Sequence, residues 1–312
     1  MITYNHERFI EQAVESVLMQ KVNFRYELVI GEDCSVDRTR DIIIQFQKKY
    51  PDRIRLLLRE RNLGSSMNFI RTLEACQGEY VALLEGDDYW TSPYKLQRQV
   101  DFLDAHPECS ACSHTVLVFF EDGKRRLYPS RRRKGILGLE DILASNLMQT
   151  CSVMFRNGVA RPFPNWFGGL NPVDWSLNIL NAQYGKIGFI DEVMAGYRIH
   201  SGGEWSKKNA LDKLQETIEM LKQVNTHLNY KYDRTVRGTI SACHLDLALE
   251  CAREGNTADA WKYARICTAE YRPRGRLSMT LLIVMWLVVW FPRLYNLVVS
   301  APKILAAAAH RI

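Results

Sequence analysis

A chain of 312 residues with 47% hydrophobic and 24% charged residues can fill one large or two medium cores, which excludes disorder and fibrous repeats. The formal charge of +6, from 41 Lys and Arg against 35 Asp and Glu, is too modest to imply a nucleic-acid partner. Eight cysteines in a chain of this length, with no secretory leader pattern at its start, read as reduced thiols in a cytoplasmic setting and not as a disulfide framework.

From residue 5 to about 200, short apolar runs alternate with amphipathic ones, the pattern of an α/β domain with a largely parallel sheet. Phe9, Ile10, Ala13, Val14, Val17 and Leu18 have helical spacing, and Asn5 is placed as a cap. Glu27 to Ile30 reads as a strand, Asp41 to Tyr50 as a helix with Ser35 or Asp37 as cap, and Arg53 to Leu58 as a strand. Ser66 to Ala75 predicts a helix, Tyr80 to Leu84 a strand, and Pro93 opens a helix running to Ala105. Later strands are expected at Cys112 to Phe120, Thr150 to Phe155 and Ile187 to Ile190, with a helix at Asp174 to Tyr184.

Residues 207 to 271 change character, with long helical runs and few strand formers. The expected organisation is a domain over 1–205, a helical appendage over 206–272, and an apolar C-terminal segment over 273–312. Within the last, residues 277 to 291 carry no charge, which falls short of the roughly 20 residues a bilayer crossing needs. Arg272, Arg274 and Arg276 flank this run on one side, and Arg293 and Lys303 on the other. That arrangement predicts peripheral contact with an anionic membrane surface.

The chemistry is expected beyond the carboxyl ends of the strands, where open α/β sheets bind their ligands. Glu32 and Asp33 follow one strand, and Glu85, Asp87 and Asp88 follow another. Carboxylates so gathered repel unless a cation or hydrogen-bond donors compensate them. Oxygen ligands without a matching Cys/His set favour Mg²⁺ or Mn²⁺, whose remaining positions phosphate oxygens can fill. The residues alone therefore indicate an α/β domain that binds a metal–diphosphate ligand.

Five segments, in order and spacing, resemble the family 2 glycosyltransferases of GT-A fold: Thr3-Tyr4-Asn5, Glu32 to Thr39, Arg61 to Gly64, Glu85 to Trp90, and Lys95 to Leu103 ahead of His106-Pro107. The resemblance covers roughly residues 3 to 200. It implies an enzyme that transfers one sugar with inversion from a nucleotide-sugar, usually UDP-linked, with a divalent metal. On that resemblance Thr3, Tyr4 and Asn5 line the nucleotide pocket and Asp33 accepts a hydrogen bond from the base. Asp87 touches ribose, Asp88 is the direct metal ligand, and Glu85, where the family more often has Asp, points away. Arg71 reaches base or phosphates, or else makes a surface salt bridge. Asp174 matches the position of the catalytic base, although Val173 stands where the family commonly has Glu. His200 approaches the metal or diphosphate, and Arg198 adds positive charge there.

The implied acceptor is a surface-glycan or lipid-linked hydroxyl, met at the inner face of the cell membrane during envelope polysaccharide synthesis. Two alternatives remain open: transfer to polyprenyl phosphate itself, and a non-catalytic binding module. The basic run Lys124, Arg125, Arg126 and Arg131 to Lys134 is a solvated loop or a contact for an anionic lipid surface or phosphorylated acceptor. Cys109 and Cys112 have redox or zinc spacing but no second pair nearby, and read as strand residues. The family normally places an apolar strand ahead of its Thr-Tyr-Asn turn, where this sequence offers Met1 and Ile2, so the expectation is a start codon assigned too late.

Overall fold

The computed structural model describes residues 1–129 and 135–270, and these divide into two compact units, Met1–Ile142 with Asn146–Lys207, and Leu143–Ser145 with the residues from Lys208 onward. The segment predicted to contact a membrane, and the Arg131 to Lys134 part of the basic run, lie outside the described residues. Among the described residues no helix is long and apolar enough to cross a membrane.

The first unit opens with β1 (Ile2–Thr3), α1 (Ile10–Leu18), β2 (Leu28–Glu32), α2 (Thr39–Lys49) and β3 (Ile54–Leu58). The three strands pair in parallel in the order β1-β2-β3, with Thr3 opposite Glu32 and Glu32 opposite Leu58. Then follow α3 (Ser65–Ala75), β4 (Tyr80–Ala82), β5 (Tyr89–Trp90), α4 (Lys95–Ala105), β6 (Cys109–Phe120), β7 (Arg125–Tyr128) and β8 (Gly135–Leu137). After α5 (Leu139–Ala144) come β9 (Met154–Arg156), α6 (Val173–Tyr184), β10 (Lys186–Ile199) and a short α7 (Glu204–Lys207).

The second sheet has the order β4-β9-β6-β10-β5, with β7 on β6 and β8 on β10. In it β6 and β10 run parallel and the other strands pair antiparallel to their neighbours; with the parallel β1-β2-β3 ladder this gives the expected α/β fold, with antiparallel strands added around β6 and β10. The short strands β5, β7 and β8 were not legible as alternating apolar runs. They are two to four residues long and pair onto the longer β6 and β10.

The core is what the helical spacing predicts. Ile10, Ala13 and Val14 of α1 are fully buried against Ile30 of β2 and Ile43 of α2, each large side chain contributing about 1.5–3 kcal/mol on leaving water. Asn5 does not cap α1, which begins only at Ile10; with φ of 54° it turns the chain, and its side-chain oxygen accepts the Val36 N–H at 2.9 Å. Asp37 does satisfy the start of α2, accepting the Thr39 N–H at 2.9 Å.

Between the open edges of β2 and β4 lies a groove of about 720 Å³, lined by Met1, Leu28, Val29, Val81, Ala82 and Met154 among others. The Met1 ammonium is turned into it and donates to the Val29 carbonyl at 2.7 Å. Burial lowers its pKa.

The second unit contains α8 (Ala210–His227), α9 (Asp233–Arg253) and α10 (Thr257–Glu270). Asn209 caps α8 by accepting the Asp212 N–H at 2.7 Å, and Leu245, Ala248, Ala264 and Cys267 form a small core between α9 and α10. Gly255, at φ of 78°, supplies the left-handed residue that ends α9.

Candidate active site

The chain ends of β1, β2 and β4 come together at one edge. Ile2 bridges Glu85 in parallel, the Gly86 N–H donates to the Ile2 carbonyl at 2.9 Å, and the Asp33 N–H donates to the Thr3 carbonyl at 3.1 Å. Gly86 is required for this closeness: a Cβ there would stand 2.5 Å from Thr3 Oγ1 and 2.9 Å from His6 Nδ1.

Glu85, Asp87 and Asp88 each bring a carboxylate oxygen to this edge, all within 4.8 Å of one another. They differ in charge state. Burial opposes ionisation of Asp87, but His200 Nε2 at 3.1 Å and His6 Nε2 at 3.5 Å outweigh it and hold the Asp87 carboxyl below its ordinary range. Asp88 is 1% exposed, and burial followed by the nearby Asp87 charge pushes it well above that range. Its Oδ1 accepts the Arg198 backbone N–H at 2.8 Å, while its Oδ2 is buried with no hydrogen-bond partner. Glu85 is pushed up by burial and then by Asp87, Asp88 and Asp174.

An orphaned carboxylate oxygen beside two further carboxylates is a donor set that fits a hard divalent cation. Glu85 belongs to this group, so it does not point away as the resemblance implied. Glu32 does not belong to it: fully buried, it pairs with Arg40 and accepts the Ser35 N–H at 2.5 Å. Its counterion, Arg40, is the second residue of α2.

Asp33 is 2% exposed and lies at the neighbouring strand end, where its Oδ1 accepts the Leu63 N–H at 2.8 Å and its Oδ2 the Gly64 N–H at 2.9 Å. It fastens the β3–α3 turn, and both oxygens face backbone donors. Thr3 is buried with its hydroxyl 3.2 Å from His6 Nδ1; Tyr4 is exposed, and Asn5 ties the β1 turn to the loop after β2, its N–H also donating to Ser35 Oγ at 3.0 Å. Arg71 is mostly exposed and pairs with Glu74 at 3.3 Å on the surface of α3, the second of its two expected roles.

Asp174 sits in the first turn of α6. It is not the N-cap, which is Pro172, and Thr150 Oγ1 donates to its Oδ2 at 3.3 Å. Desolvation raises its pKa, and it acts electrostatically on Glu85, which places it on the same side as the three carboxylates. His200 reaches the site as expected, but through Asp87. Arg198 does not direct its guanidinium at the carboxylates: it bonds the Asp87 carbonyl and Gln12 Oε1, packed between the Tyr89 and Phe9 rings at 4.3 and 5.1 Å. Its backbone N–H grips Asp88, and its positive charge also acts on the Asp88 carboxyl.

Two residues escaped sequence reasoning. His6 bridges Thr3 to Asp87, and burial lowers its pKa. The Tyr197 phenol is pushed up by burial and then by the charges of Glu85, Asp88, Asp87 and Asp174. Alternation along β10 from His200 would not have found Tyr197, but its position three residues before that histidine was a usable signal.

The sequence pattern of Glycosyl transferase family 2 matches residues 1–161. The uncharacterised protein Rv1520 of Mycobacterium tuberculosis is 40% identical over 205 residues, which is 65% of this chain and 59% of that relative's length. Among solved structures, Staphylococcus aureus TarS 1–349 in complex with UDP-GlcNAc superposes with a TM-score of 0.61 at 16% identity, over 92% of this chain and 85% of its own. The mannosyltransferase PcManGT of Pyrobaculum calidifontis, in complex with GDP-Man and Mn²⁺, gives 0.59 at 15% identity over 99% and 84%. Parallel β–α units ending in an acidic edge, with these likenesses, define an α/β protein of GT-A fold. The chain belongs to the family 2 glycosyltransferases.

Proposed function

We propose that the chain transfers a single sugar, with inversion, from a nucleotide-sugar to an acceptor hydroxyl, using a divalent cation. The observation that carries this reading is the convergence of Glu85, Asp87 and Asp88 with the unpartnered Asp88 Oδ2 among them. Asp88, with Asp87 and Glu85 beside it, would hold Mg²⁺ or Mn²⁺, whose charge would stabilise the diphosphate as it leaves. Thr3, Tyr4 and Asn5 line the nucleotide side, and Asp33 supports it by fixing the turn from Asn62 to Gly64. UDP is the nucleotide favoured by the resemblance and carried by the TarS structure.

Asp174 takes the acceptor hydroxyl's proton as that oxygen bonds to the anomeric carbon. Its raised pKa suits a base that must accept a proton near neutral pH. Thr150 orients the carboxyl by donating to one oxygen, and hydrogen bonds from the Trp175 backbone and the Asn146 side chain also hold it. The reaction is one displacement and needs no protein nucleophile.

The acceptor class, a glycan or lipid-linked hydroxyl at the inner face of the cell membrane in envelope polysaccharide synthesis, rests on family membership alone. The test is incubation with a panel of UDP- and GDP-sugars, with Mn²⁺ or with a chelator, and assay of nucleoside diphosphate released. Metal-dependent release from at least one donor is expected; none from a folded protein would favour the non-catalytic module.

A further inference from the structure

A row of alternating guanidinium groups and aromatic rings runs outward from the Asp87–Asp88 edge. Cross-strand register aligns Arg125 of β7 with Phe119 of β6, and Phe119 with Arg198 of β10. The Arg125 guanidinium lies 5.2 Å from the Phe119 ring, and Phe119 lies 5.9 Å from Tyr89. Tyr89 and Phe9 sandwich Arg198, and Arg8 closes the row 5.4 Å from Phe9. Gly196 makes room for it: a Cβ there would come within 2.6 Å of the Tyr89 ring and 2.9 Å of the Phe119 ring.

The cations in this row are not equivalent. Arg198 spends its donors inward on Asp87 and Gln12. Arg8 and Arg125 are exposed, and neither has a carboxylate within salt-bridge distance among the described residues, although Glu121 feels the Arg8 charge. The neighbouring Lys124 is already paired with Asp122 at 2.6 Å. A guanidinium close to a ring is attracted to it, and its planar N–H edge can match two oxygens of a phosphate.

We propose that Arg125, against Phe119 at one end of the row, and Arg8, against Phe9 at the other, are two separate contacts for phosphate esters of the acceptor, so that the preferred acceptor carries phosphate near the hydroxyl to be glycosylated. The assignment rests on the proposed transferase reading only for the word acceptor; phosphate binding is measurable without turnover. The phosphate ester can belong to a soluble phosphoglycan or to a lipid headgroup.

The experiment uses the full chain with the donor edge saturated by UDP and Mn²⁺, and again without them. Soluble glycerol phosphate is followed by phosphorus NMR against a glycerol control, and phosphatidic acid vesicles by co-flotation against phosphatidylcholine. Binding of either probe is expected, falling by about tenfold or more in Arg8→Ala/Arg125→Ala, whose residues are exposed and outside the core. Arg125→Lys should weaken it too, because an ammonium lacks the flat paired edge. Binding of glycerol phosphate identifies a soluble source, and binding of vesicles alone a lipid one; both support these contacts. Absence of binding to both, or equal binding by the double variant at unchanged melting temperature, overturns it. Failure of UDP and Mn²⁺ to stabilise the chain would instead count against the transferase reading.

Discussion

His200 Nε2 lies 3.1 Å from Asp87 Oδ2, and His6 approaches the same oxygen at 3.5 Å. Two imidazoles on one carboxylate oxygen keep Asp87 ionised, while Asp88 and Glu85 beside it are driven toward their protonated forms. A cation entering this edge must therefore displace protons.

Calorimetry of Mn²⁺ binding in two buffers of different ionisation enthalpy at neutral pH should show proton release, and the affinity should rise with pH. Because Asp88 and Glu85 have raised pKa values in the folded state, they favour the metal-free fold at low pH. That contribution is lost as pH rises from the ordinary carboxylate range through the raised values. The metal-free protein should lose stability over that window and regain it with Mn²⁺; binding without proton release would contradict the assignment of charge states.

Asp174→Asn removes a base without removing a ligand of the cation. Donor binding and its metal dependence should remain within about twofold, while transfer falls by about 10²–10⁴-fold. Equal loss of binding and transfer would show that Asp174 holds the donor instead.

Lys95 is fully buried, its Nζ has no hydrogen-bond partner, and the ammonium lies 4.0 Å over the Trp90 ring. Burial lowers its pKa to about 7. A lysine proton held in the unfolded chain but not in the fold destabilises the fold most at low pH, and stability should rise from about pH 7 toward 10.5, the ordinary lysine value. The penalty at neutral pH is about 4 kcal/mol. Lys95→Met should raise the denaturation midpoint and flatten that alkaline rise; a destabilised variant would show that the cation–ring contact outweighs the desolvation.

The groove between β2 and β4 is lined by Leu28 and Val29, the part of β2 left open because β1 pairs only opposite Gly31 and Glu32. Joining about four apolar residues ahead of Met1 should fill it as a strand and replace a buried ammonium by a peptide bond, raising the melting temperature by several degrees. The same number of charged residues should not. Equal melting temperatures for the two extensions would contradict the strand-shaped reading of the groove.

Much of this architecture is legible in residue pattern, because α1 to α4 and β2 to β4 are local units with clean spacing and punctuation. Asp87 and Asp88 were findable because an apolar run stopping in acids marks a strand tip. What pattern could not supply was partner choice across the fold. Glu32 and Asp33 look alike in sequence, yet Arg40 claims one and the Leu63 and Gly64 amides the other. His6 has no motif of its own and acquires meaning only because Gly86 lets the Asp87 turn close on β1. That Arg198 adds positive charge near Asp87 and Asp88 follows its expected role, but its packing against Phe9, Tyr89 and Gln12 has no signal in the pattern.

The Glu85, Asp87 and Asp88 edge is proposed to bind a cation together with a nucleoside diphosphate. Thermal denaturation of the wild type and of Asp88→Ala, each with UDP, with Mn²⁺, and with both, tests it most directly. The wild type should be stabilised by the pair well beyond the sum of the single additions, and Asp88→Ala should show no such excess while melting normally without ligand. The same excess in both proteins would place the metal–diphosphate ligand elsewhere.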